Sequence, residues 1–255
     1  MGILDNKNIV ITGVLTEASL AFGVAQLAQR EGAKVVLTGA GRGLSITQRT
    51  ARKLDTAAEV FEFDVTVPEH VGQVRQAVAK SLGTVDGVLH AIGFAPASSL
   101  GDDFLASPWE DVAVALQIST YSLKVLADAF VPLMPNGGTF VGLDFDNTVA
   151  WPAYNWMGVA KSALESTNRY LAKTLGKQNI RCNLVAAGPI RTMAAKSIPG
   201  FSTFEDIWGT RAPLGWDVND SSVVARSCVA LLSDWFPATT AEIIHVDGGF
   251  HAMGV

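Results

Sequence analysis

The sequence predicts an α/β fold: a single-domain, doubly wound parallel sheet of about seven strands flanked by helices. Short apolar runs alternate along the chain with amphipathic helical patterns, as crossover helices between parallel strands require. A length of 255 residues suits one large α/β domain with an ample core. Four segments, beginning at Thr12, Phe63, His90 and Ala187, fall where strands end, the edge at which open α/β sheets bind ligands.

Strands are expected near Asn8 to Thr12, Lys34 to Thr38, Glu59 to Phe63, Gly87 to Ala91, Gly138 to Gly142, Arg181 to Ala186 and Glu242 to Val246. The first strand runs into Thr12-Gly13-Val14-Leu15 and opens a helix near Ser19. The helix after the third strand has a written start in Thr66-Val67-Pro68-Glu69, where a hydroxyl cap precedes an early proline and a glutamate. A helix carrying Lys161 is marked by small and apolar residues at Ala160, Ala163, Leu164, Thr167, Leu171 and Leu175. From Gly188 to about Asp217 the regular spacing breaks into Gly, Pro, Phe and Trp, and so long a loop in a compact domain is usually functional. No repeat or linker divides residues 1–255.

Apolar residues make up 49% of the chain and charged residues 17%. With mean hydropathy +0.28, this balance favours surface buried between subunits, hence a homo-oligomer. No apolar stretch approaches the ~20 residues that cross a bilayer, so no membrane partner is expected. Met1-Gly2-Ile3-Leu4-Asp5 lacks the pattern of a secretory leader. Cys182 and Cys228 match no metal-ligand spacing, so neither a metal nor a disulfide scaffold is expected, and a reducing cytoplasm fits. A net charge of −5 argues against nucleic acid. An acidic partner would need a local basic patch.

The strand ends suggest a nucleotide. Gly13 would form either an ordinary strand-to-helix turn or the tight turn of a diphosphate site, with Ser19 and Leu20 at a helix N-terminus whose free amides favour anions. Phe63-Asp64-Val65 offers an acceptor and an apolar side chain that would suit an adenine, although Asp64 alone also reads as a polar strand end. Ile92-Gly93 would let backbone approach a ribose. His90, ending a buried strand, reads better as a hydrogen-bonded structural residue than as a catalyst. Ala187-Gly188-Pro189-Ile190-Arg191-Thr192 gives a bend, a free amide at Ile190 and a hydroxyl at Thr192. Tyr154 and Lys161 are seven residues apart, about two helical turns, so a phenol and an ammonium would share one pocket.

These residues carry a resemblance. Gly13-x5-Ser19-Leu20-Ala21, Ile92-Gly93-Phe94-Ala95-Pro96, Tyr154-x6-Lys161 and Ala187-Gly188-Pro189-Ile190-Arg191-Thr192 resemble the divergent short-chain dehydrogenase/reductases that include the enoyl-acyl-carrier-protein reductases of bacterial fatty-acid synthesis. Asp144-Phe145-Asp146, Ala153-Tyr154-Asn155-Trp156-Met157 and Leu231-Leu232-Ser233-Asp234-Trp235 are similar to the mycobacterial, isoniazid-target branch.

The resemblance implies a Rossmann-type fold, NAD as cofactor, and reduction of the trans-2 double bond of an enoyl thioester on acyl carrier protein. It gives Tyr154 a hydrogen bond to the thioester oxygen and Lys161 the nicotinamide ribose, with Phe145 shaping the pocket beside them. Ser19 and Leu20 would line the diphosphate, Asp64 and Val65 the adenine, Ile92 and Gly93 the ribose side, and Ile190 the carboxamide. The segment 188–217 would be a helical substrate-binding loop, capping an acyl pocket of moderate length with Phe201, Phe204 and Trp208. Arg191, Lys196 and Arg211 would form a basic rim for the acidic carrier, and the oligomer would be a tetramer. NADH is preferred by resemblance, while Arg42 would suit a 2′-phosphate. An ordinary ketone or alcohol dehydrogenase would need Tyr-x3-Lys, and position 158 is Gly158. A catalytically silent dinucleotide-binding regulator is the rival from another class.

Overall fold

The computed structural model describes residues 2–254. Seven parallel strands form one sheet in the order β3-β2-β1-β4-β5-β6-β7. They are β1 (Asn8–Ile11), β2 (Lys34–Gly39), β3 (Glu59–Glu62), β4 (Gly87–His90), β5 (Gly138–Asp144), β6 (Ile180–Ala187) and β7 (Ile243–Val246). The order reverses direction between β1 and β4, which pair directly, Val10 beside Val88. That junction is the switch point at which the loops leaving two neighbouring strands diverge and open a crevice.

The helices are α1 (Leu20–Arg30), α2 (Gly41–Ala51), α3 (Pro68–Leu82), α4 (Trp109–Leu116), α5 (Ser122–Phe130), α6 (Asn155–Leu175), α7 (Phe201–Arg211) and α8 (Ser222–Leu232). The central strands are apolar on both faces because both are covered. Ile9, Ile11 and Leu89 pack with Val24, Ala28, Cys228 and Leu232 of α1 and α8, while Val10, Val88 and Phe140 pack with α3, α5 and α6 through Val74, Val78, Leu126 and Ala172. All seven strands fall within a residue or two of the expected spans, with β5 extending to Asp144.

Two expectations fail. The helix α3 starts at Pro68 with Val67 as its cap, and Thr66 donates its hydroxyl to Asp64 Oδ1 at 2.7 Å instead of capping. The carboxylate two residues upstream is the stronger acceptor, so it holds the hydroxyl in the strand-end loop. An apolar run of spanning length also exists. The helical stretch Trp109–Leu133 reaches a mean hydropathy of 1.2, sufficient by length and composition for a bilayer, yet 56% of that apolar window is buried here. It joins α4 to α5 through one π turn at Gln117–Tyr121, and its apolar residues pack under the sheet and against α3 and α6.

Candidate active site

The switch point holds a cleft of about 500 Å³, bounded by the loops after β1, β2, β3 and β4 and by α6. Gly13 has φ +78°, and a Cβ there would lie 2.0 Å from Ala91 O, so only glycine fits where the two loops meet. Thr12 ties the same loops together, donating to Leu89 O at 3.0 Å and accepting from Ala91 N at 2.9 Å. Ser19 caps the loop before α1: its Oγ accepts from Leu15 N at 3.2 Å and from Thr16 N at 2.9 Å. Ser19, Leu20 and Ala21 line the cleft at the N-terminus of α1, where first-turn amides have no intrahelical acceptor.

Gly13, Ser19, Leu20, Asp64, Val65, Ile92, Gly93, Lys161 and Thr192 all line this one cleft. Ile190 does not. It is buried beneath the loop, with its carbonyl accepting from Thr192 N at 2.8 Å, because the chain folds back on itself after Pro189. The wall also contains Phe63, from the segment expected at the adenine, and Thr38, Thr47, Ile118 and Leu143, which sequence reasoning missed. Thr38 lies in the end of β2 and the strand-end rule reaches it; Ile118 sits in the π turn, which left no sequence signal. Thr47 Oγ1 is buried in the cleft wall with no protein partner, an orphan hydroxyl that fits a ligand rich in hydroxyls. These features fit a dinucleotide: a glycine turn against a helix N-terminus for phosphates, Asp64 and Val65 for a base, and a buried ammonium at the far end.

Lys161 is that ammonium. Only 8% exposed, it donates to Leu143 O at 2.8 Å and lies 3.8 Å from Asp144 Oδ1. Burial lowers its pKa and the Asp144 charge opposes the drop. Asp144 is pushed up to about 7 by burial, against the pull of Lys161, and neither carboxylate oxygen has a hydrogen-bond partner. His90 is fully buried with Nε2 2.7 Å from Ser122 Oγ, and burial followed by the Lys161 charge lowers its pKa to about 3. It is a neutral, hydrogen-bonded structural residue.

Tyr154 and Lys161 do not share a pocket. Tyr154 is the cap residue of α6, one position outside the helix, and lines a second cavity of about 660 Å³ with Phe104, Val149 and Trp151. Its phenol is held by burial, and then by the Asp144 charge, well above the ordinary tyrosine pKa, so it stays a proton donor. Its neighbours on either side adopt left-handed backbone, Ala153 at φ 58° and Asn155 at φ 49°. Asn155 Nδ2 fixes this bend by donating to Gly101 O at 3.1 Å and Asp103 O at 3.2 Å.

Phe145 joins the phenol to the loop 188–217. Its ring lies 5.1 Å from Tyr154, 5.7 Å from Trp151, and 5.8 Å from both Phe204 and Trp208 of α7. Trp208 in turn stacks on Phe250 at 3.8 Å. The space expected for an acyl chain is therefore filled with rings. The basic rim is also largely committed: Arg191 makes two bonds to Glu205 at 2.5 and 2.7 Å, and Arg211 lies over the Phe250 ring and donates to Met253 O and Gly254 O. Among the described residues neither Lys196 nor Arg211 has an ion pair, but the Arg211 guanidinium is held by the ring and the two carbonyls, which leaves Lys196 as the uncommitted charge of the three.

Residues 13–251 match the model of the family described as enoyl-(acyl carrier protein) reductase. The chain is similar to an enoyl-acyl-carrier-protein reductase (NADH) of Mycolicibacterium smegmatis, 47% identical with 97% of each chain covered. It is 44% identical to the enzyme of that description from Mycobacterium avium, again over 97% of each. A reductase described as NADPH-dependent, from Staphylococcus aureus, is 40% identical over 98% of each chain.

Proposed function

The chain belongs to the enoyl-acyl-carrier-protein reductase family, and from that premise we propose that it reduces the trans-2 double bond of an enoyl thioester, carried on acyl carrier protein, at the expense of NADH. The observation that carries this reading is the buried Lys161 lining the switch-point cleft, with Tyr154 seven residues before it at the start of α6 and the Phe145 ring packed against the phenol. Bound NADH supplies the hydride, delivered to the β-carbon of the thioester.

The chain's own residues do the rest. The α1 N-terminus and the Gly13 turn bind the diphosphate, Asp64 and Val65 the adenine, and Ile92 and Gly93 the ribose side. Thr192, in the loop after β6 and lining the cleft, would face the nicotinamide end. Lys161 holds ribose hydroxyls and keeps the field positive where negative charge develops on the substrate. Tyr154, kept protonated by burial, donates to the thioester oxygen, and a fixed donor in a dry site favours the enolate-like transition state more than the ground state. Phe145 sets the distance between phenol and acyl chain. The segment 188–217 is the substrate-binding loop, and α7 must shift for an acyl chain to pass its rings.

The carrier is an acidic protein, so Lys196 is the charge left to meet it. The exposed rings of Trp109, Tyr121 and Tyr170 on the α4 to α6 face support a homo-oligomer, a tetramer by family resemblance, working in the cytoplasm. NADH absorbance in the presence of crotonyl thioester is the test. Consumption that depends on the thioester supports the reading; binding of NADH without consumption points to a silent regulator, and greater efficiency with NADPH would reverse the cofactor assignment.

A further inference from the structure

Asp144 is an anomaly behind the cleft wall, adjoining the lining residues Leu143 and Lys161 without lining the cleft itself. Its carboxylate sits at the end of β5, fully buried at the side chain; neither oxygen has a partner in good hydrogen-bond geometry, and the backbone N–H of Phe145 is the one donor near enough to favour its charge. A buried carboxylate short of donors is costly, and proteins tolerate it where protonation or a counter-ion relieves it. The nearest cation is Lys161, whose Nζ is 3.8 Å away and spends one of its three protons on Leu143 O. The other charged and titratable groups around this carboxylate are few. Glu165 on α6 and Asp146 after β5 both disfavour its charge, Tyr154 before α6 feels that charge, and His90 of β4 is kept neutral by burial and by the Lys161 charge. His245 of β7 lies against Asp146, at 3.8 Å.

We infer that Asp144 is a positioning residue that couples proton uptake to cofactor binding, its protonation state deciding how completely the Lys161 ammonium is available to the cofactor. Ionised, the carboxylate neutralises Lys161 and holds it toward β5. Protonated, it leaves an uncompensated cation at the end of a cleft that receives a ligand bearing a negative diphosphate. Burial has already moved the Asp144 carboxyl to about 7, so both states are populated near neutrality. Binding of the anionic ligand favours the protonated form, and by linkage its affinity is full in acid and falls as pH rises through that value. This inference rests on the reading of the cleft as the NADH site.

The experiment is titration of the purified protein with NADH, followed by fluorescence from pH 6 to 9, with calorimetry in two buffers of different ionisation enthalpy. The wild type should lose affinity with rising pH, by at most about tenfold per pH unit, the limit for one linked proton, and should take up a proton on binding. Asp144→Asn should bind NADH with affinity nearly independent of pH. A flat wild-type profile with no proton uptake overturns the inference even if Asp144→Asn does not fold, and a slope that survives in a folded Asp144→Asn overturns it in favour of another group. Failure of NADH to bind at any pH would instead overturn the reading of the cleft.

Discussion

Replacing Trp208 by alanine tests whether the rings of α7 limit the length of the acyl chain. The Trp208 side chain is 1% exposed and packs on Phe250 at 3.8 Å, Trp151 at 5.0 Å and Phe145 at 5.8 Å. An indole buries ~150–250 Å², which at about 25 cal/mol per Å² is worth roughly 4–6 kcal/mol as an upper bound. Trp→Ala changes in cores cost about 3–5 kcal/mol. Because the ring hangs on α7, most of that loss should fall on the docking of α7 and little on the sheet. Amide exchange over residues 201–211 should therefore accelerate, while β1, β4 and β5 keep their protection. The vacated space adjoins Phe145, which itself packs on Tyr154, and on the proposed reading the acyl tail runs against these rings. Each methylene newly accommodated contributes about 0.8 kcal/mol, roughly fourfold in efficiency, so two or three shift the ratio of kcat/KM for dodecenoyl over crotonyl thioester by on the order of ten- to a hundredfold. An unchanged chain-length profile in a folded variant with faster α7 exchange would refute the placement of the acyl tail against these rings.

Tyr154→Phe should lower kcat by about 10²–10³ through loss of one oxyanion donor, with NADH affinity retained in a fluorescence titration. Lys161→Ala should weaken NADH binding itself and leave Asp144 buried without its cation. Because burial holds the Asp144 carboxyl above its unfolded value, the neutral acid is tolerated at low pH, so the drop in Tm should be small at pH 6 and larger at pH 8. Gly13→Ala forces a methyl to within 2.0 Å of Ala91 O at φ +78°, and should abolish NADH binding and lower Tm, checked by titration and thermal melting. The thiols of Cys182 and Cys228 are buried and pushed up to about 12 by that burial, so iodoacetamide should label them only after denaturation, as mass spectrometry would show.

The strands were readable because each is a short segment with an apolar centre beside turn residues, most of them rich in valine and isoleucine, and that signal is local. The cleft followed from them, since the ligand edge of a parallel sheet is fixed by strand direction, and nine of the residues expected there do line it. What stayed hidden depends on distant partners. Nothing near Arg191 in sequence announces that Glu205 will neutralise it, and the stack of Trp208 on Phe250 joins α7 to a segment some forty residues on. Thr66 looked like a cap because its competition with Asp64 is a matter of geometry. Asp144 was passed over as a carboxylate because its strand was expected to end at Gly142, which would have placed it in a solvated loop.

The left-handed backbone at Ala153 and Asn155 has a bearing on how this protein would respond to selection. A non-glycine residue held there stores strain of about 1–2 kcal/mol. Glycine at position 153 would relieve it, at the expense of a looser chain. A screen that rewards thermal robustness alone would therefore find candidate substitutions immediately beside the phenol, where a gain in melting temperature comes with a less sharply aimed hydroxyl. Stabilised variants of this chain should be sought on α3 and α8, which line neither cavity, so that robustness and turnover are not set against each other.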